Sequence, residues 1–315
     1  MTDTQNEVFK TPVNKIRLFE HGAPGSQNLK LTRKYYTEDM PDGRVKHIVQ
    51  NITDPDIVPY IPDGIGNSTD RQRIPAVLII PGGAFRRLVY NFEGEDVAKW
   101  LNSMGIAAFV LECRLPSDEH DNAEDVPLID AMRAMRVIRG RAQEFGIDEA
   151  KIGVMGFSYE HLEDYSYEGL ARMYADYKYK DEYDKLSARP DFAVCSYPVI
   201  SIDDCIEAGK RYMSEEQVLE RISDSKAKIL HKYNPDKLVR PDMPPVFICE
   251  TDDDRTTLSE NSVGFYMAAR KAGVSAELHI FRTGGHGYGC GDDFAQTGEW
   301  KVLFTKWIKS IGIIS

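Results

Sequence analysis

From Pro75 onward the chain alternates short, wholly apolar runs with stretches of helical period, and this alternation limits the folds open to it. Residues 76–80 (AVLII) are too few for a helix and have no polar face, so they read as a strand buried on both sides. Val97, Trp100, Leu101 and Met104 then fall on one stripe of an amphipathic helix that Gly105 ends. Residues 106–111 (IAAFVL) form a second buried run, and Pro127 opens a helix predicted to reach Gly146. Residues 151–157, 192–199 and 246–249 continue the strands. Residues 259–272 read as a helix, and Ala276, Leu278 and Ile280 alternate as an exposed edge strand should. Trp300, Leu303, Phe304 and Trp307 mark a last amphipathic helix. Strands separated by helices need crossover connections. The expected fold class is therefore α/β, with a mainly parallel, doubly wound sheet and helices on both faces.

Outside that core, residues 1–44 are polar, with turn signals at Gly22, Pro24, Gly25, Pro41 and Gly43, and read as an N-terminal arm. Residues 45–315 read as a single domain. Its first strands are 45–52 and 56–61, the second demoted to an edge by Pro59. Residues 201–242 are charged and helical and interrupt the rhythm as a cap-like insertion over the carboxyl edge of the sheet. A chain of 315 residues buries enough surface to fold without disulfides or a structural metal. Fifty acidic residues against 39 basic give a net charge of −11, which argues against nucleic acid and anionic membranes as partners. Five cysteines include no CxxC pair, and Cys113, Cys195 and Cys249 lie in or beside apolar runs as small core residues. With no apolar leader segment at the start, the expected location is cytoplasmic.

Three loops follow strands, where such a sheet collects its functional groups. Pro81-Gly82-Gly83-Ala84-Phe85 carries adjacent glycines whose N–H groups suit an oxyanion hole, or form an ordinary turn. Gly156-Phe157-Ser158-Tyr159-Glu160 puts a serine on a strand-to-helix turn, with Glu160 where the GxSxG pattern has glycine. Gly284-Gly285-His286-Gly287-Tyr288-Gly289 sets a histidine among glycines, on a loop rather than in a core. Between them, Asp252-Asp253-Asp254 follows a buried strand. That run reads as solvated charge or as the source of one aspartate that orients His286; it lacks the spacing of a calcium loop. The order serine, aspartate, histidine is that of an α/β-hydrolase, in which a weak hydroxyl nucleophile is activated by an imidazole that a carboxylate holds in place.

Several stretches together carry a family likeness. LFEHGAPGS, IPGGAFRRLVYNFEGEDVAKWLNSMGIAAFVL, PLIDAMRAMRVIRGRAQEFGIDEAKIGVMGFS, ARPDFAVCSYPVIS, PPVFICETDDD and SENSVGFYMAARKAGVSAELHIFRTGGHGYG resemble the α/β-hydrolase carbohydrate esterases, the acetyl xylan esterase-like and feruloyl esterase-like proteins. The likeness runs from about residue 16 to residue 291 and implies an α/β-hydrolase fold. It also implies Ser158 as nucleophile, His286 as general base and Asp254 as orienting acid, with Asp253 in that role if the register slips by one. The oxyanion hole it implies is formed by N–H groups of Tyr159 and of Ala84 or Gly83. The departure is at the elbow, where the family's GFSAGGHLA is GFSYEHLED here, and a carboxylate at Glu160 opposes an oxyanion.

The resemblance implies a serine carboxylic-ester hydrolase that removes acetyl or aryl-acyl groups from saccharides through an acyl-enzyme, with no cofactor and no metal. The expected partner is a small acylated saccharide or aryl ester; a homo-oligomer is open. The alternative is a catalytically impaired α/β-hydrolase retained as a binding or scaffold protein, which Glu160 motivates. A peptidase on the same fold would share the triad.

Overall fold

The computed structural model describes residue 9 and residues 13–64, 73–121, 123–158, 181–211, 214, 216–217, 238–291 and 296–315. The early strands are β1 (Ile16–Arg17), β2 (Lys34–Asp39), β3 (Val45–Gln50), β4 (Asp56–Tyr60), β5 (Ile74–Ile80) and β6 (Leu88–Val89). A π-helical turn at Asn91–Glu95 leads into α1 (Asp96–Ser103), then β7 (Ala107–Glu112), α2 (Val126–Gly140) and α3 (Ala142–Phe145). Next come β8 (Ile147–Phe157), β9 (Ala193–Ser196), α4 (Ile202–Lys210), β10 (Val246–Thr251), α5 (Ser259–Lys271), β11 (Ala276–Phe281) and α6 (Trp300–Ser310).

Eight strands join in the order β1-β4-β7-β5-β8-β9-β10-β11. From β7 to β11 every neighbouring pair is parallel, while β4 and β1 are antiparallel additions at one edge. The central position of β5 follows from its composition: residues 76–80 are buried throughout, as are all of β7 and the last six residues of β8. The chain leaves β5 toward β7 through α1, and returns from β7 past β5 to β8 through α2. Right-handed crossovers in opposite directions lie on opposite faces, so α1 and α2 sandwich the sheet. Trp100 of α1 meets Trp300 and Phe304 of α6 edge-on, at 4.8 and 5.4 Å between ring centroids, which puts α6 on the α1 face. The loops after β5 and β8 thus diverge from adjacent strands, which is where an α/β sheet opens a crevice.

Several expectations are corrected. The helix predicted to reach Gly146 is interrupted at Arg141, where φ −104° and ψ 16° leave the helical region. Gly140 is the weak point, and a Cβ there would meet the Tyr183 ring at 2.5 Å. The strand predicted over 192–199 ends at Ser196 because Tyr197 turns to φ 42°, and that over 45–52 ends at Gln50 before Asn51 at φ 58°. The boundary between arm and domain at 44/45 falls inside a hairpin. β2 pairs with β3 along its whole length in a small antiparallel sheet β2-β3-β6, and β1 pairs with β4 in the main one. Leu18 and Phe19 are core residues, so the described part of the first 44 residues is integral to the fold. Pro59 is tolerated because, among the described residues, β1 pairs only with Asp56 and Ile57, so no ladder bond on the outer side of β4 calls for the N–H that Pro59 lacks. Of the cap-like segment, α4 is described, while residues 212–213, 215 and 218–237 lie outside the described residues.

Candidate active site

Ser158 is the first residue beyond β8 and takes φ 61°, a left-handed conformation that serine adopts only under constraint. The constraint is visible on both sides of the residue. Ser158 N–H donates to Ser196 O at 3.0 Å, and Val199 N–H donates to Ser158 O at 3.1 Å. These bonds fasten the turn to the end of β9 and lift the side chain off the sheet.

The histidine comes from the loop after β11. Its glycines allow a tight path: Gly289 has φ 53°, and a Cβ there would lie 2.5 Å from Phe92 O. The loop is fastened at several points. Asp253 Oδ1 accepts N–H bonds from Gly284 and Gly285 at 2.9 and 2.8 Å, Thr251 Oγ1 donates to Gly285 O at 2.9 Å, and Trp300 Nε1 donates to Gly289 O at 3.1 Å.

These elements bring three groups into one line. Ser158 Oγ lies 2.6 Å from His286 Nε2, and His286 Nδ1 lies 2.6 Å from Asp254 Oδ2. A carboxylate only accepts, so the Nδ1 proton points at Asp254 and Nε2 is left as an acceptor for the serine hydroxyl. Asp254 is buried, and its other oxygen is held by N–H bonds from Thr256 and Thr257 at 2.6 and 2.9 Å; Thr257 Oγ1 adds a third donor at 2.9 Å on Oδ2. Burial opposes ionisation of Asp254. The charge and hydrogen bond of His286 and the two N–H donors outweigh it and hold the carboxyl below the usual aspartate range.

The aspartate run separates three ways. Asp252 accepts from Ser259 Oγ at 3.3 Å, Asp253 holds the loop backbone, and Asp254 alone meets the imidazole. Among the described residues no group of three or more His, Cys, Asp or Glu side chains is disposed to hold a metal ion.

The turn after β5 lies beside the serine: a Cβ on Gly82 would be 2.9 Å from Ser158 Cβ. Gly83 has φ 151° and Ala84 has φ 59°. Among the described residues their N–H groups donate to nothing, whereas Gly82 N–H is taken by Glu93 Oε2 at 3.0 Å. Tyr159 and Glu160 lie outside the described residues.

Two buried acids escape a reading of the sequence. Glu93, in the π-helical turn, sits under the site and also accepts from Tyr197 OH at 2.9 Å; burial pushes its carboxyl up against the opposing pull of Tyr197 and His286. Glu250, the penultimate residue of β10, is pushed well above the usual range by burial and by the Asp254 charge. Both stand in charge-rich local sequence (NFEGED, CETDDD), and only the apolar run leading into Glu250 hints at burial.

Residues 65–268 match the BD-FAE family model, which is more than half of the chain. The chain belongs to the BD-FAE family. An acetylxylan esterase of Xylanibacter ruminicola is 30% identical to it over 239 residues, 75% of this chain and 45% of the relative. Endo-1,4-beta-xylanase B of Butyrivibrio fibrisolvens is 30% identical over 226 residues, 71% of this chain and 34% of the relative. The chain thus spans less than half the length of these two proteins. Among solved structures, the acetyl ester-xyloside bifunctional hydrolase of Caldicellulosiruptor lactoaceticus is similar at 35% identity and a TM-score of 0.65, covering 84% of this chain and 91% of that one. A carboxylesterase of Lactobacillus plantarum shares the fold at 19% identity and a TM-score of 0.65, over 90% of this chain and 99% of the other. This BD-FAE chain has the α/β-hydrolase fold.

Proposed function

We propose that this BD-FAE chain is a serine esterase that removes acetyl or aryl-acyl groups from saccharides through an acyl-enzyme. The reading rests on the two 2.6 Å contacts that link Ser158 Oγ, His286 and Asp254. Such a relay gives a neutral hydroxyl a base at the distance proton transfer needs. The acetylxylan esterase and acetyl ester-xyloside hydrolase relatives support the acetyl group and the sugar.

Ser158 Oγ attacks the ester carbonyl carbon as its proton passes to His286 Nε2. The resulting oxyanion is held by N–H groups of Gly83 and Ala84, with Tyr159 as the sequence-derived third donor. Asp254 stabilises the imidazolium. Collapse breaks the C–O bond, and His286 returns the proton to the departing sugar hydroxyl. Water, deprotonated by the same imidazole, then attacks the acyl-serine; collapse frees the carboxylic acid and restores Ser158. The cytoplasm is assigned as the compartment.

The test is hydrolysis of 4-nitrophenyl acetate and of acetylated xylo-oligosaccharide by wild type beside Ser158→Ala, with fluorophosphonate labelling mapped by peptide. Turnover that Ser158→Ala abolishes, with the label on Ser158, supports the esterase. A folded wild type that neither labels nor turns over ester sinks it and favours the binding-protein reading that Glu160 suggests.

A further inference from the structure

Glu93 lies under the line of Ser158, His286 and Asp254 and is only 4% exposed. Both of its oxygens are committed. Oε2 accepts the Gly82 N–H at 3.0 Å, and Oε1 accepts the Tyr197 hydroxyl at 2.9 Å. Tyr197 OH in turn accepts the N–H of Gly289 at 3.1 Å, three residues past His286 in the loop, and the Tyr197 ring meets the imidazole edge-on with centroids 5.0 Å apart. One carboxyl group therefore joins the turn after β5 to the histidine loop. The environment is tight: a Cβ on Gly82 would lie 2.9 Å from both Glu93 Oε2 and Ser158 Cβ.

A buried carboxylate is costly unless its partners satisfy it. Here every partner is a donor, and each donor belongs to a segment that touches the reacting groups. With the Gly82 N–H held down by Glu93, the next two N–H groups, of Gly83 and Ala84, are left without described partners beside Ser158. We propose that Glu93 is a positioning residue for acyl transfer, fixing the oxyanion turn against the His286 loop through Tyr197 and adding a second negative charge beneath the imidazole. The proposal rests on the esterase reading above. The groups around His286 are Asp254 from the loop after β10, Ser158 from the end of β8, Tyr197 from the end of β9, and Glu93; Lys46 of β3 is the cation that acts on Glu93. As Ser158 gives up its proton the imidazole becomes cationic, and Glu93 then opposes that charge together with Asp254.

Glutamine cannot replace the carboxylate without loss. Turned one way, its NH2 faces the Gly82 N–H, donor against donor. Turned the other, it donates to Tyr197 OH, which already accepts from Gly289, and the phenol hydrogen is orphaned.

The experiment compares wild type, Glu93→Gln and Tyr197→Phe by kcat and KM on 4-nitrophenyl acetate, by the fluorophosphonate labelling rate, by the pH profile of kcat/KM, and by near-UV circular dichroism with thermal melting. Activity is normalised to labelled sites. The expected result for Glu93→Gln is a folded chain whose kcat per site is down about 10- to 100-fold with KM little changed, because the groups are displaced and not removed. Its labelling slows in parallel, and the acid limb of its profile moves to lower pH because a carboxylate that favours the protonated imidazole is gone. Tyr197→Phe, which keeps the carboxylate, loses rate without that shift. Glu93→Gln with wild-type kcat per site and an unmoved limb overturns the proposal. So does a loss that disappears once activity is divided by labelled sites, since Glu93 would then serve folding alone. A wild type that neither labels nor turns over overturns the esterase reading itself, and this proposal with it.

Discussion

In Asp254→Asn the new amide has one orientation open to it. Oδ1 receives two backbone N–H bonds, from Thr256 at 2.6 Å and Thr257 at 2.9 Å, so the amide oxygen must stay there. The NH2 group is thereby forced onto the Oδ2 position, which faces His286 Nδ1 at 2.6 Å. A donor now meets that nitrogen, so Nδ1 becomes the acceptor and the proton moves to Nε2. Nε2 then points an N–H at Ser158 Oγ, 2.6 Å away, and can take no proton from it. This tautomer error costs about 10⁴-fold in kcat in serine hydrolases that use the same relay, roughly 5 kcal/mol at 1.36 kcal/mol per decade. The fold is preserved, because both backbone bonds remain and Thr257 Oγ1 is able to accept from the new NH2 group. The assay is kcat on 4-nitrophenyl acetate with a thermal melt on the same samples, and Asp253→Asn as the internal control. Asp253 uses one oxygen for Gly284 and Gly285 N–H, and an amide oxygen serves both, so that variant stays close to wild-type turnover. A folded Asp254→Asn within tenfold of wild type refutes the argument. An inactive Asp253→Asn beside an active Asp254→Asn reverses the assignment of the two carboxylates.

Ser158→Gly and Ser158→Ala are both inactive, but the glycine variant is at least as stable, because only an L side chain is strained at φ 61°. Urea denaturation decides it: an alanine variant more stable by the ordinary margin of about 0.5–1 kcal/mol means the turn is unstrained. Asp56 is raised to about 6 by burial and by Glu112, against Arg33 and Lys15. Between about pH 4 and 6 the native chain binds a proton that the unfolded chain does not, so this group makes stability fall as pH rises. Asp56→Asn flattens that slope in urea titrations across the window, and an unchanged slope rejects the assignment.

The strands buried on both faces are legible in the sequence, since AVLII and IAAFVL leave no other structure open to runs of that length. Ser158 and His286 were legible for a related reason: each stands at a glycine-bearing post-strand turn. Asp254 was harder to single out. Three identical neighbours differ only in how the turn after β10 distributes them, and that depends on Thr256, Thr257 and a loop some 30 residues away. Glu93 gave no signal because NFEGED resembles a solvated helix start; what buries it comes from Gly82 and from Tyr197, more than a hundred positions on. The strand Lys34–Asp39 was missed because KYYTED is polar and half-buried, and only its pairing with β3 makes it a strand.

Strain and site coincide in this fold. Among the described residues, the non-glycine positions with left-handed φ are Asn51, Ala84, Phe85, Glu119, Ser158 and Tyr197. Ser158 is the first residue after β8 and Tyr197 the first after β9, so two adjacent parallel strands end directly in this unfavourable conformation, while Ala84 and Phe85 take it further along the loop that follows β5. Each such residue costs on the order of 1–3 kcal/mol and persists only where its surroundings leave it no alternative. The surroundings here are the strands themselves. Ser158 N–H is held by Ser196 O of β9, and Tyr197 N–H by Cys249 O of β10 at 2.7 Å, so the turns after β8 and β9 are each pinned by the next strand across. A strand that ran on would carry its side chains out along the sheet. A left-handed residue at the end of β8 or β9 instead turns the chain abruptly. The buried Ser158 hydroxyl and Tyr197 phenol then gather at a single edge with the N–H groups of Gly83 and Ala84, which have no partner among the described residues. The parallel register that buries the core thus also brings together the groups that the proposed acyl transfer needs. The pinned turn after β8 is the one that carries Ser158, whose Oγ lies 2.6 Å from His286 Nε2 although the two are 128 positions apart.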